Sequence, residues 1–119
     1  MPVLNGGSKF VTHATGLSTT SDTDVYVVPN NFSSHVEHLL LTNSDSSNRT
    51  YTLKYYEADT AITHTLFSAH AVSGKGSESV FTIDKPLYIH KGDKLIVAAG
   101  TANTITVVIA AEEFFDPTR

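Results

Sequence analysis

Histidine is the one over-used titratable residue type: His13, His35, His38, His64, His70 and His90 stand beside only eight Lys and Arg. A metal or general-base site needs such rings to converge, so their spacing decides. His35 and His38 fall in the run HVEH, and Leu39-Leu40-Leu41-Thr42 continues it as a strand rather than a helix. An odd separation along a strand points two side chains to opposite faces. His64 and His70 share a face but lie about 20 Å apart at roughly 3.3 Å per residue. Neither pair makes a zinc site alone, so no metal ligand is assigned.

The remaining catalytic signatures are missing. Acid–base work by two carboxylates needs them face to face. Asp22, Asp24, Asp45, Asp59, Asp84 and Asp93 all sit at predicted turns or strand ends, and the neighbours Glu112 and Glu113 point apart in an extended chain. No Gly-x-Ser-x-Gly elbow occurs. The loop SGKGS (residues 73–77) lacks the strand–loop–helix setting of a phosphate loop. There is no cysteine, which excludes thiolate chemistry and disulfides. The reading is therefore non-enzymatic, with no catalytic residue and no cofactor.

Two features point to binding instead. Lys91-Gly92-Asp93 resembles the Gly-Asp motifs by which some extracellular proteins hold receptors. Its flanks, PLYIH and KLIV, are strand-like, and Gly supplies positive φ while Asp bonds local donors, so the motif reads as a β-turn. Tyr51, Tyr55, Tyr56 and Tyr88 with Phe67 and Phe81 could line a sugar-binding face, against the competing reading as core and cross-strand pairs.

The elements that must position these residues are strands. RTYTLKYY (residues 49–56) sets Tyr51, Leu53 and Tyr55 on one face, and NTITVVIAA (103–111) sets Ile105, Val107 and Ile109 on one face. Further strands are expected at 24–28, 34–42, 63–72, 79–83, 87–90 and 94–99, separated by Pro/Asn/Gly/Ser turns. About eight short strands at this spacing predict an all-β, antiparallel two-sheet sandwich, jelly-roll-like. The expected core holds Val25, Val27, Leu39, Leu41, Leu53, Tyr55, Phe81, Ile83, Leu87, Ile89, Leu95, Val97, Val107 and Ile109.

Residues 1–20 differ. Gly6-Gly7 is a flexible break, and Val3, Leu4, Phe10, Val11 and Leu17 are too sparse to form a layer of their own. We expect residues 1–20 to be an N-terminal arm and residues 21–119 the sandwich domain. The competing reading makes 9–16 the first strand of the sheet. The candidate interface is Val3, Leu4, Phe10, Val11 and Leu17 of the arm, with Phe114 and Phe115 of the acidic-aromatic end. A chain of 119 residues buries a sufficient core unaided. Net charge is −4 with no basic cluster, which argues against nucleic acid as partner. No signal-like or membrane-spanning apolar run occurs, which predicts a soluble protein made in the cytoplasm without a membrane partner.

The stretch STTSDTDVYVVPNNFSSHVEHLLLTNSDSSNRTYTLKYYEAD (residues 18–59) is similar to small virion structural proteins of tailed bacteriophages, particularly marine and cyanobacterial ones. The shared pattern is a Thr-rich lead, then VYxVP, LxLTNxxxxxxTYTLxxY, PLxIxxGDxLxVxA and a last apolar strand. It covers most of residues 18–111 and leaves out the first twenty. The resemblance implies a non-enzymatic β-sandwich of the virion, synthesised in the host cytoplasm. Its role would be that of a capsid decoration (cement) protein or a neck or tail component, bound to the major capsid protein or to neck and tail proteins. A homo-oligomer is expected because open sheet edges need covering. A carbohydrate-binding host-recognition module is the reading from a different class.

Overall fold

A computed structural model describes residues 8–117. Nine strands follow one another: β1 (Ser8–Gly16), β2 (Thr23–Val27), β3 (Phe32–Asn43), β4 (Arg49–Glu57), β5 (Ile62–Val72), β6 (Ser77–Phe81), β7 (Leu87–His90), β8 (Lys94–Ala99) and β9 (Ile105–Phe115). They form two antiparallel sheets. One has the order β1-β9-β3-β6, with β7 beside β6 along the same edge of β3; the other runs β2-β8-β4-β5. The fold is an all-β two-sheet sandwich, and among the described residues no helix is long and apolar enough to cross a membrane.

Alternation builds the core. In β9 every second residue from Ile105 to Ala111 faces inward, and β8 does the same with Leu95, Val97 and Ala99. These meet Leu39 and Leu41 of β3 and Tyr51 and Leu53 of β4, all fully buried. Each such aliphatic side chain contributes about 1.5–3 kcal/mol by leaving water. Asn43, buried at the end of β3, holds one end of the sandwich. Its Nδ2 donates to the carbonyls of Ser47 and Val72, while its Oδ1 accepts from the Asp45 N–H.

Three expectations need correction. The ninth strand is β1, whose register runs from Ser8 opposite Phe114 to Gly16 opposite Thr106. The reading of residues 9–16 as a first strand thus describes this segment, and Leu17 behind it is 2% exposed within the core. Ladder hydrogen bonds, rather than many apolar contacts, hold β1 in place. Val27 is exposed although alternation from Val25 assigns it inward. A bulge between Asp24 and Tyr26 turns both Val25 and Tyr26 inward, so Val28 rather than Val27 continues the buried row. Ile83 is 72% exposed because β6 ends at Phe81 and Ile83 lies at the tip closed by the Thr82–Lys85 bridge.

Candidate functional site

The Lys91-Gly92-Asp93 motif is a tight turn between β7 and β8, with Gly92 at φ 80°. Asp93 points inward and is buried. Its Oδ2 accepts from the Tyr55 hydroxyl and the His90 N–H, and its Oδ1 from the Ala58 N–H, each at 2.9 Å. The carboxylate therefore clips the β7–β8 turn to the β4–β5 turn. An adhesive loop would present it to solvent; here it is structural. Burial first, and then the bond to Asp93, raises the Tyr55 phenol above its ordinary pKa.

The outer face of the β1-β9-β3 sheet is where potential binding groups gather. Because Val11 packs inward, Phe10 points out, and cross-strand register makes a row: Phe10 opposite Glu112, Glu112 opposite His35, His35 opposite Tyr88. Phe10 is 73% and Tyr88 65% exposed, so the row has apolar ends and a polar middle. Phe114 lies on the same face, diagonal to Phe10 and within side-chain reach. Beside them a recess of about 300 Å³ is lined by Glu37, His38, Thr82, Ile83 and Ala110.

A second bulge shapes this face. Val36 pairs with Ala111 and His38 with Ala110, leaving Glu37 extra. Val36 and Leu39 face the core, so the three residues from the other parity class, His35, Glu37 and His38, all reach the outer side. This corrects the expectation that the rings of His35 and His38 diverge. The signal was present in the apolar spacing: Val36 to Leu39 is three residues, whereas Leu39 to Leu41 is two. His35 stacks on Tyr88 with centroids 4.5 Å apart, and its Nδ1 is 3.8 Å from Glu37 Oε2. His38 Nε2 lies 3.1 Å from Ser79 Oγ. His35, Glu37 and Glu112 place one ligand atom each within 4.8 Å of one another.

Glu112 and Glu113 point apart as expected, but Glu113 is buried rather than at the surface. It accepts a 2.6 Å bond from the Tyr26 hydroxyl, which also lies 2.8 Å from Ser34 Oγ, and Lys9 Nζ stands 3.7 Å away. Burial chiefly, then the bond to Glu113, pushes the Tyr26 phenol upward. The group ties β2 to β3 and β9 across the two sheets. Sequence reasoning missed it because β2 loses its alternation at the bulge.

The candidate interface residues separate into three sets. Phe10, Phe114 and Phe115 are exposed, with Phe115 edge-on to Phe32 at a 5.8 Å centroid distance. Val11 is half-buried against the core and Leu17 belongs to it, so neither is presented to a neighbour in this chain. Val3 and Leu4 lie outside the described residues.

The aromatic residues do not form one platform. Tyr51 is buried, donating to Glu78 Oε1 at 2.9 Å, and its ring meets Phe67 and His70 edge-on. Tyr55, Phe67 and Phe81 pack against the core. Tyr56 and Tyr88 belong to different sheets and face away from each other. His64 and His70 on β5 each pair with a separate acid, Glu57 at 3.5 Å and Glu78 at 2.8 Å.

No protein-family model matches the chain, and no curated protein matches it. Among solved structures it is similar to a chain of the acid-stable capsid of Helicobacter pylori bacteriophage KHP30. That match has a TM-score of 0.53 at 12% identity and covers 97% of this chain and 92% of that one. At that identity the likeness is one of fold. A chain of the cyanophage Pam1 capsid asymmetric unit aligns at TM-score 0.47 and 21% identity, covering 97% and 89% of the two chains. A chain of the disulfide-linked pili that form Bacillus endospore appendages aligns at 0.46 and 13%, covering 98% and 96%.

Proposed function

We propose that this chain is a non-enzymatic structural protein of a phage particle, a capsid decoration protein that clamps neighbouring shell subunits. The observation that carries the reading is the outer face of the β1-β9-β3 sheet, where Phe10, Tyr88, Phe114 and Ile83 stand exposed on one side of a small sandwich. Large exposed apolar groups concentrated on one face mark an interaction surface. The strand order, β1-β9-β3-β6 against β2-β8-β4-β5, is that of a jelly roll, an architecture that viral capsid domains use. The fold likeness to a phage capsid chain and the sequence pattern over residues 18–111 agree with this reading.

Weak contacts of this kind gain strength by repetition on a symmetric shell. Oligomerisation belongs to the same proposal. The edge strand β5 is exposed along ten of its eleven residues or nearly so, with Ile62 and Leu66 open to solvent, and β1 and β2 are edges too. Such edges invite a second copy or a shell subunit.

The test is rebinding to particles stripped of this protein. Phe10→Ser and Tyr88→Ser should each lower occupancy about tenfold or more while leaving the melting temperature unchanged, because both side chains are exposed and outside the core. Wild-type occupancy in the double variant would overturn the assignment of this face. The carbohydrate-binding reading has no aromatic platform to rest on, and glycan binding lost on Tyr88→Ala would restore it.

A further inference from the structure

We propose that His35, Glu37 and Glu112 form a three-ligand site for a divalent transition cation of the zinc type. The inference does not depend on the particle reading. One imidazole nitrogen and two carboxylate oxygens, all within 4.8 Å of one another, come from two adjacent strands. Tetrahedral ligands at about 2.1 Å from zinc lie about 3.4 Å apart, so side-chain rotations of about 1 Å close the set. The β3 bulge makes it possible by placing His35 and Glu37 on one face beside cross-strand Glu112.

The charge pattern asks for a cation. Two carboxylates this close repel unless positive charge lies between them. Among the described residues no Lys or Arg pairs with Glu37 or Glu112; the only ion-pair neighbour of either is His35. The ring itself gives a second, independent indication. Among the described residues, His35 Nε2 is the buried side-chain polar atom left without a hydrogen-bond partner. An imidazolium here would bury half its charge at that orphaned nitrogen. A metal ion between the acids leaves the ring neutral, and a neutral N–H is far less costly to bury.

The surroundings hold the ligands in place, as outer partners do at metal sites. Tyr88 stacks on the His35 ring, and Ser8 Oγ donates to Glu112 Oε2 at 2.6 Å. Three protein ligands leave a coordination position open for water or an outside donor. Mixed nitrogen and oxygen ligation favours zinc over magnesium or calcium, which require more oxygens than this face supplies.

Isothermal titration of the chelator-stripped full chain with zinc chloride tests this. Wild type should bind one zinc per chain with proton release, and magnesium chloride should show no comparable binding. His35→Gln and Glu112→Gln should each weaken zinc binding at least about tenfold. His70→Gln, which removes the separate pair with Glu78, should leave it intact. A second readout needs no variant: zinc should shift the imidazole 15N resonances of His35 alone among the six histidines. Equal zinc affinity in wild type and both ligand variants, no zinc binding by wild type, or shifts confined to other histidines would each overturn the proposal.

Discussion

Replacing Asp93 by Asn changes almost no volume and tests whether this turn carboxylate holds the fold. The native side chain accepts three bonds, two on Oδ2 and one on Oδ1. The least damaging placement of the Asn amide keeps its oxygen toward Tyr55 and His90. Its NH2 group then faces the Ala58 N–H, donor against donor, and one backbone N–H is left unpaired in the interior. The two surviving bonds also lose their charge assistance. An unsatisfied buried donor costs about 1–3 kcal/mol, and bonds to a charged acceptor exceed neutral ones by about 1 kcal/mol. The expected loss is therefore about 2–4 kcal/mol. A domain of this length loses about 4 °C per kcal/mol, so the midpoint should fall by about 8–16 °C. Thermal unfolding followed by circular dichroism at neutral pH reads it. Lys91→Ala, two residues away with no hydrogen bond or ion pair, is the control and should stay within about 0.5 kcal/mol. A midpoint for Asp93→Asn within about 2 °C of wild type would refute the clip and reopen the reading of Lys91-Gly92-Asp93 as a surface motif.

Leu17→Ala should destabilise by about 2–5 kcal/mol, because the side chain is 2% exposed in the core; a loss under about 1 kcal/mol in urea unfolding would return Leu17 to a loose arm. Gly92→Ala should cost about 1–2 kcal/mol in the same assay, since an alanine must adopt φ 80° and its Cβ meets that of Ala58 at 3.1 Å; an unchanged midpoint counts against the turn geometry. Burial raises the phenol pKa values of Tyr26, Tyr51 and Tyr55 in the folded state, so above about pH 10 the unfolded chain loses its phenol protons first. The stability these groups contribute is thus fully present below about pH 10 and falls as pH rises toward their folded values. Melting scans from about pH 8 to 11 should show that decline, with a shallower slope in Tyr51→Phe; parallel slopes would contradict it.

The sequence makes the class and most of the fold legible because alternation survives in β4, β8 and β9, whose inward residues all appear in the core. It misleads where a bulge breaks the period. In β2 the neighbours Val25 and Tyr26 both turn inward, and in β3 the step from Val36 to Leu39 brings His35, Glu37 and His38 onto one face. Strict alternation cannot produce either arrangement, so the polar cluster with Glu112 and the buried Tyr26–Glu113 pair stay hidden until register is known. Strand β1 was obscured for a different reason. An edge strand held mainly by its ladder to β9 needs few apolar residues, so its sequence resembles a tail. Asp93 shows the converse: its turn was readable from Gly92, but a buried acceptor and a solvated turn residue look alike in sequence.

The measurement that bears most directly on the structural role is the number of copies of this chain in purified particles, by quantitative mass spectrometry against the major shell protein. A decoration protein on an icosahedral shell predicts hundreds of copies, in fixed proportion to shell subunits. A low count in multiples of five, six or twelve would contradict the shell assignment and move the chain to the neck or tail, and absence from particles with presence in infected-cell lysate would contradict the structural role itself.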